Sequence, residues 1–229
     1  MKFLLTLVCL SVMARGALAD DMDALMQRCA PQVHPKTLSA IVHTESRGRA
    51  FVISDDGPMG LPWAERKLML RSYDPSTKDE AANLVESLTA QGHMVGIGLT
   101  QLSSRHLKRF GISVQTALEP CDNLRMGAQV LTEFYAEALK KYKNPEQALL
   151  AAISAYNTGN FENGFGNGYV QKVVDASLYR VPELKYGRVG PIKPASLGVT
   201  AMRSKNVVGK RISSGLLEAK LAKIEVESY

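Results

Sequence analysis

Three short segments of the 229-residue chain contain residue types that could do chemistry together. Glu45 follows Leu38 by seven residues, Ile41 by four and Val42 by three, so a helix through them sets its carboxylate on their apolar face. An acid aimed at a core is neutralised, paired or functional. Burial raises its pKa, and a place in the last helical turn, near the negative end of the dipole, pushes the same way. A carboxyl still protonated at neutral pH suits general acid catalysis on a glycosidic oxygen. The alternative is a structural Glu paired with Arg47, Arg49 or a more distant Arg. Gly96-Ile97-Gly98-Leu99-Thr100-Gln101 reads as a glycine-punctuated approach to a helix, where backbone can come close to a ligand and Gln101 offers both donor and acceptor. Ala155-Tyr156-Asn157-Thr158-Gly159 ends an apolar helix with a phenol and an amide, suited to gripping a polar substrate, although Tyr-Asn before Gly is also an ordinary helix C-cap.

These residues need elements to hold them. Pro35 to Glu45 reads as a helix opened by proline and stopped near Gly48. Residues 51–75, with Asp55-Asp56-Gly57 and Gly60-Leu61-Pro62, read as a small irregular hairpin region. Thr77 and Glu80 form a capping box for a helix that ends at Gly92. A short helix is predicted over Leu99–Phe110, and a long amphipathic one over about Leu124–Tyr142 with Val130, Phe134 and Leu139 inward. Asn144-Pro145 caps and opens a central apolar helix over Ala148–Tyr156. Residues 157–168 read as a loop, and Tyr169, Val170, Val173 and Val174 begin another helix. Met59, Met69 and Met94 are read as packing residues, Trp63 as the filler of a core edge in preference to a stacking face for a sugar ring, and His43 as facing away from Glu45.

Composition, at 45% hydrophobic and 22% charged, excludes fibrous, disordered and polytopic chains. Lys2, the apolar run Phe3 to Met13 and Ala17-Leu18-Ala19 read as a signal peptide over residues 1–19; the run is too short to be a membrane span. Cys29 and Cys121 are then an even pair bound for an oxidising compartment, which favours a disulfide. His34, His43, His93 and His106 show no ligand spacing with either Cys, so no metal is expected, and no cofactor. Residues 180–229 hold ten Lys or Arg against four Glu, leaving residues 20–179 slightly acidic. Nucleic-acid binding through the globular part is therefore poorly supported.

Glu45-Ser46 closing a helix, Gly98-Leu99-Thr100-Gln101 and Ala155-Tyr156-Asn157-Thr158-Gly159, in that order and at those intervals, resemble the three signature motifs of lysozyme-like lytic transglycosylases. The resemblance is greatest to the branch associated with type IV secretion and conjugation, on Cys29-Ala30-Pro31, Ala40-Ile41-Val42, Gln91-Gly92-His93 and Glu119-Pro120-Cys121, and covers roughly residues 25–180. It implies a mainly α, lysozyme-like α+β fold. It also implies cleavage of the β-1,4 bond between N-acetylmuramic acid and N-acetylglucosamine in peptidoglycan, to a 1,6-anhydro product. Glu45 would be the acid and base, Ser46 a neighbour that orients it, Gln101 a contact to the sugar, Tyr156 a neighbour of the Glu45 carboxyl and Asn157 a shaper of the cleft. Thr100, Ser103 and His106 depart from the Met, Asn and Asn frequent in the family, which is read as a change in subsite lining. Three units are expected: a signal over 1–19, the transglycosylase domain over 20–182, and a flexible basic tail over 183–229 with a short terminal helix near Leu216–Ile224. The protein is expected in the periplasm, with glycan strands as substrate; the tail would contact acidic wall polymers, lipid headgroups or a secretion component. The competing readings are a hydrolytic muramidase with Asp55 or Asp56 as second carboxylate, and an inactive murein-binding assembly subunit.

Overall fold

A computed structural model describes residues 21–179 and 184–186. The expected signal peptide and all but the first residues of the expected tail lie outside the described residues. The chain begins with α1 (Met22–Cys29) and α2 (Pro35–Glu45), then β1 (Ile53–Pro58), the single turn α3 (Trp63–Arg66) and β2 (Arg71–Tyr73). Next come α4 (Lys78–Ala90), β3 (His93–Ile97), β4 (Leu102–Ser103), α5 (Arg105–Phe110) and α6 (Val114–Ala117). Four helices finish it: α7 (Pro120–Lys141), α8 (Pro145–Thr158), α9 (Asn163–Gly166) and α10 (Tyr169–Ala176). The fold is mainly α with one small antiparallel sheet in the order β2-β1-β3-β4.

Helix α7 is the spine, with α8 packed along it and α1 against its other end. Leu38 and Val42 of α2 join the core that includes Leu99, Leu124 and Val130, while Ile41 joins a second cluster with Ile153 and Val173. Each such side chain, withdrawn from water, contributes about 1.5–3 kcal/mol. Cys29 and Cys121 form a disulfide with a Cα–Cα distance of 5.3 Å, tying α1 to the start of α7. Closing a loop of this length restricts the unfolded chain and stabilises the fold by about 4 kcal/mol in the chain-entropy view.

Helices α2 and α8 keep their expected starts: His34 Nδ1 accepts from the Lys36 amide, and Asn144 Oδ1 from those of Glu146 and Gln147. Thr77 caps α4 by accepting from Glu80 N, but the Glu80 carboxylate in turn accepts from Ser76 N rather than from Thr77 N. Elsewhere the expectations need correction. Leu99–Phe110 is not one helix. Gly98 and Gln101 take left-handed backbone at φ +70° and +49°, which breaks the helix, and β4 folds back to pair with β3 before α5 begins. The segment entering that turn is a strand, since Gly96 and Ile97 pair with Ser103 and Leu102.

The long helix starts at Pro120, and its inward row continues from Leu131 to Ala138, leaving Leu139 42% exposed. The helical period favours a step of seven from Leu131 over a step of five from Phe134. Trp63 fills no core edge: it is 58% exposed, and Met59 and Met69 are exposed as well, although α3 touches β1. Met94 lines the cleft. Residues 184–186, just past the expected domain limit, run beside the α2–β1 loop, with Lys185 N donating to Gly48 O and Ala50 N to Lys185 O.

Candidate active site

Glu45 is the last residue of α2, and the chain turns sharply away at Arg47 and Gly48. This delivers the partly buried carboxyl to a cleft of about 600 Å³, lined also by Asp56, Gln101, Arg105, Tyr156 and Asn157. Glu45 Oε1 accepts a very short hydrogen bond from the Tyr169 hydroxyl at the start of α10. Burial pushes the Glu45 pKa up to about 7; the Tyr169 bond holds it down in part, and the negative charge of Asp56 adds to the rise. A carboxyl balanced near neutrality can both give and take a proton at physiological pH.

The tyrosines do different work. Tyr156 donates to Thr100 O at 2.8 Å, tying α8 to the turn before β4. Burial and the nearby Glu45 charge hold both phenols protonated, with Tyr156 and Tyr169 pushed well above the usual range. Tyr156 lies in the field of Glu45, but the hydrogen bond to the carboxyl comes from Tyr169. Asn157 orders the approach to that second phenol: its Oδ1 accepts from Asn167 Nδ2 at 3.1 Å, and Asn167 Oδ1 accepts the Tyr169 amide at 2.9 Å.

Gln101 is fixed by its donor end, with Nε2 donating to Val52 O at 3.0 Å and Gly98 O at 2.9 Å, and its side chain lines the cleft. A Cβ on Gly96 would stand 2.7 Å from Gln101 Oε1 and 2.5 Å from Ser54 Oγ, so only glycine leaves that amide its place. Beneath it, Asn123 of α7 accepts from Thr100 N and Oγ1 and donates to Ile97 O and Ala117 O, pinning the turn to the spine.

The structure thus brings Glu45, Gln101, Tyr156 and Asn157 to one cleft. Ser46 is not there. Fully buried, its hydroxyl donates to Val42 O and accepts Gly48 N, so it shapes the helix end beneath the acid. Thr100 is also fully buried, which corrects the expectation that all three family departures line subsites; Ser103 and His106 do line the cleft. Asp55 and Asp56 separate by strand alternation. Asp55 is 4% exposed, its Oδ1 accepting Gly57 N and meeting His93 Nδ1, both at 2.8 Å. Asp56 faces the cleft, and burial raises its pKa against the pull of Arg66 and Arg105. Among the described residues no group of three or more His, Cys, Asp or Glu is placed to hold a metal ion.

Sequence reasoning missed Tyr169 as a site residue. Its only signal was a phenol opening a helix directly after the Gly-Asn loop; the pairing with Glu45 spans 124 positions and depends on α10 packing against α2.

The transglycosylase SLT domain family model matches residues 24–177. The chain is 37% identical over 156 residues to the type IV secretion system protein virB1 of Brucella abortus, covering 66% of this chain and 61% of that protein. It is 34% identical over 182 residues to protein virB1 of Rhizobium radiobacter, covering 79% and 71%, and 33% identical over 165 residues to that of Agrobacterium fabrum, covering 72% and 62%. The match thus spans about three fifths of the Brucella relative's length. No solved structure matches the chain. With the match running from α1 through α10 and enclosing the whole cleft, the chain belongs to the transglycosylase SLT domain family.

Proposed function

We propose that this protein is a peptidoglycan lytic transglycosylase that opens the cell wall locally for a type IV secretion or conjugation apparatus. The observation that carries this reading is one cleft carboxyl, Glu45, held near neutrality by burial and oriented by Tyr169. Protonated Glu45 gives its proton to the glycosidic oxygen as the bond to the muramoyl anomeric carbon breaks. The substrate's own acetamido group stabilises the positive centre that forms. Glu45, now a carboxylate, takes the proton of the muramoyl 6-hydroxyl, whose oxygen bonds to the anomeric carbon and closes the 1,6-anhydro ring. The acid is regenerated and no water is consumed. Tyr169 hydrogen-bonds the carboxylate that exists between the two proton transfers. Gln101 contacts the sugar, while Tyr156 and Asn157 shape the cleft.

A signal-directed, periplasmic location and engagement of secretion components by the basic tail belong to the same proposal; the similarity to a type IV secretion system protein supports the secretion context. Among the described residues no helix is long and apolar enough to cross a membrane.

A hydrolytic muramidase is the second reading, because Asp56 lines the cleft with Glu45 and could serve as a second carboxylate. Mass spectrometry of digested murein separates the two. Anhydro-muramoyl ends are expected; reducing ends carrying an added water would overturn the transglycosylase reading. Glu45→Gln should cut the yield of either product by about 10³-fold.

A further inference from the structure

The cleft is divided by charge. Its acids, Glu45 and Asp56, come from α2 and β1, whereas Arg105 and Arg109 come from α5. Four positions apart, these two guanidiniums share a helix face, and like charges so placed destabilise a helix, here one of only six residues. Arg109 is offset by an ion pair to Glu133 of α7. Arg105 has no such pair: it is exposed, makes no hydrogen bond or ion pair with any of the described residues, and acts at longer range on Asp56, whose pKa it lowers. His106 between them is held neutral by burial and by the two arginines, so it adds a polar edge without a third charge. Ser103, just before α5, also lines the cleft, and its Oγ is shielded from solvent with no partner. The hydrated guanidinium of Arg105 keeps its N–H donors free of the described residues, and the shielded Ser103 hydroxyl costs the fold free energy while it lacks a partner. Both are satisfied by a ligand that brings negative charge and hydrogen-bond acceptors.

Resting on the proposed peptidoglycan cleavage, we propose that Arg105, supported by Arg109, His106 and Ser103, forms an anion subsite that binds a substrate carboxylate, so that the enzyme favours acidic muropeptide strands over neutral glycan. Peptidoglycan carries carboxylates in two places. They occur on the stem peptide, and on the muramoyl lactyl group once that peptide is removed. A guanidinium suits either through paired N–H donors.

The test is binding, measured by calorimetry in a Glu45→Gln background so that no turnover occurs. The probes are a peptide-bearing muramoyl tetrasaccharide, the same tetrasaccharide stripped by an amidase, and chitotetraose. The peptide-bearing probe should bind about tenfold or more tighter than chitotetraose at low salt, as expected for a charge-assisted pair. Arg105→Gln should erase most of that gap, Arg105→Lys should restore part of it, and added salt should narrow it. If the stripped probe keeps the Arg105-dependent gain, the lactyl carboxylate is the partner; if it loses the gain, the stem peptide is. Equal weakening of all probes by Arg105→Gln, no effect on any, or no measurable binding of the acidic probes would overturn the subsite. Murein product analysis on the unaltered protein is independent of these outcomes, so failure of the subsite and failure of the proposed reaction can be told apart.

Discussion

The two walls of the cleft use opposite electrostatics. On the helical wall of α2, α8 and α10, Glu45 and the phenols of Tyr156 and Tyr169 are withdrawn from water, and each phenol donates a hydrogen bond. On the wall of β1 and α5, Arg105 and Arg109 keep their charges in solvent beside the half-buried Asp56. Dryness on the first wall lifts a carboxyl to a pKa of about 7, which suits it to carry protons in the proposed reaction. Access to water on the second leaves the arginines as charges that can attract a ligand. Asp55 and Asp56 show how little chain separates structure from site, since one is locked to His93 and the Gly57 amide and its neighbour opens to the cleft.

Breaking the dry wall should have the largest effect. Glu45→Gln is expected to cut murein cleavage by about 10³-fold, within the range for loss of a general acid. The same change should stabilise the fold at high pH. With a folded pKa of about 7, above the ordinary carboxyl value of 4.5, the native state binds the proton more tightly, so stability falls as pH rises between those values. The melting temperature of the Gln variant should therefore exceed the parent's at pH 8 and match it at pH 4, as followed by circular dichroism. A parent that shows no such difference would place the carboxyl in water.

Tyr169→Phe should reduce kcat by roughly 10- to 100-fold, the equivalent of a lost hydrogen bond to a charged group. That bond lowers the Glu45 pKa, so its removal should move the alkaline limb of the pH–rate profile upward. Asp56→Asn tests the wet wall. Removing its charge should lower the Glu45 pKa and shift the alkaline limb down, with a loss of activity below about tenfold. A loss near that of Glu45→Gln would make Asp56 a second catalytic carboxylate. The smallest effect belongs to Trp63, exposed on α3 outside the cleft lining: Trp63→Ala should leave cleavage within about twofold and unfolding free energy within about 0.5 kcal/mol.

Legibility in the sequence followed the range of the interaction involved. Capping by Asn144 and Thr77, the proline openings of α2 and α8, and the inward face of Leu38, Ile41 and Val42 are local, and they stand as read. The Gly98–Gln101 turn is not legible locally, because Gln101 adopts a left-handed conformation that its own residue type does not favour; the hydrogen bonds its Nε2 donates to Val52 O and Gly98 O hold it there. Apolar type alone points Trp63 and Met69 to a core, whereas their exposure depends on how the segment around β1 packs.

From the chain alone, helical periodicity settled that Glu45 shares the apolar face of α2, and the ordered motifs indicated the family. Folding decided the rest: that Tyr169 and not Tyr156 bonds the acid, that Asp56 and not Asp55 faces it, and that Ser46 lies beneath it. The physical reason is reach. A helix or strand fixes direction over a few residues, but a carboxyl's pKa is set by what distant segments bring within a few ångströms of it.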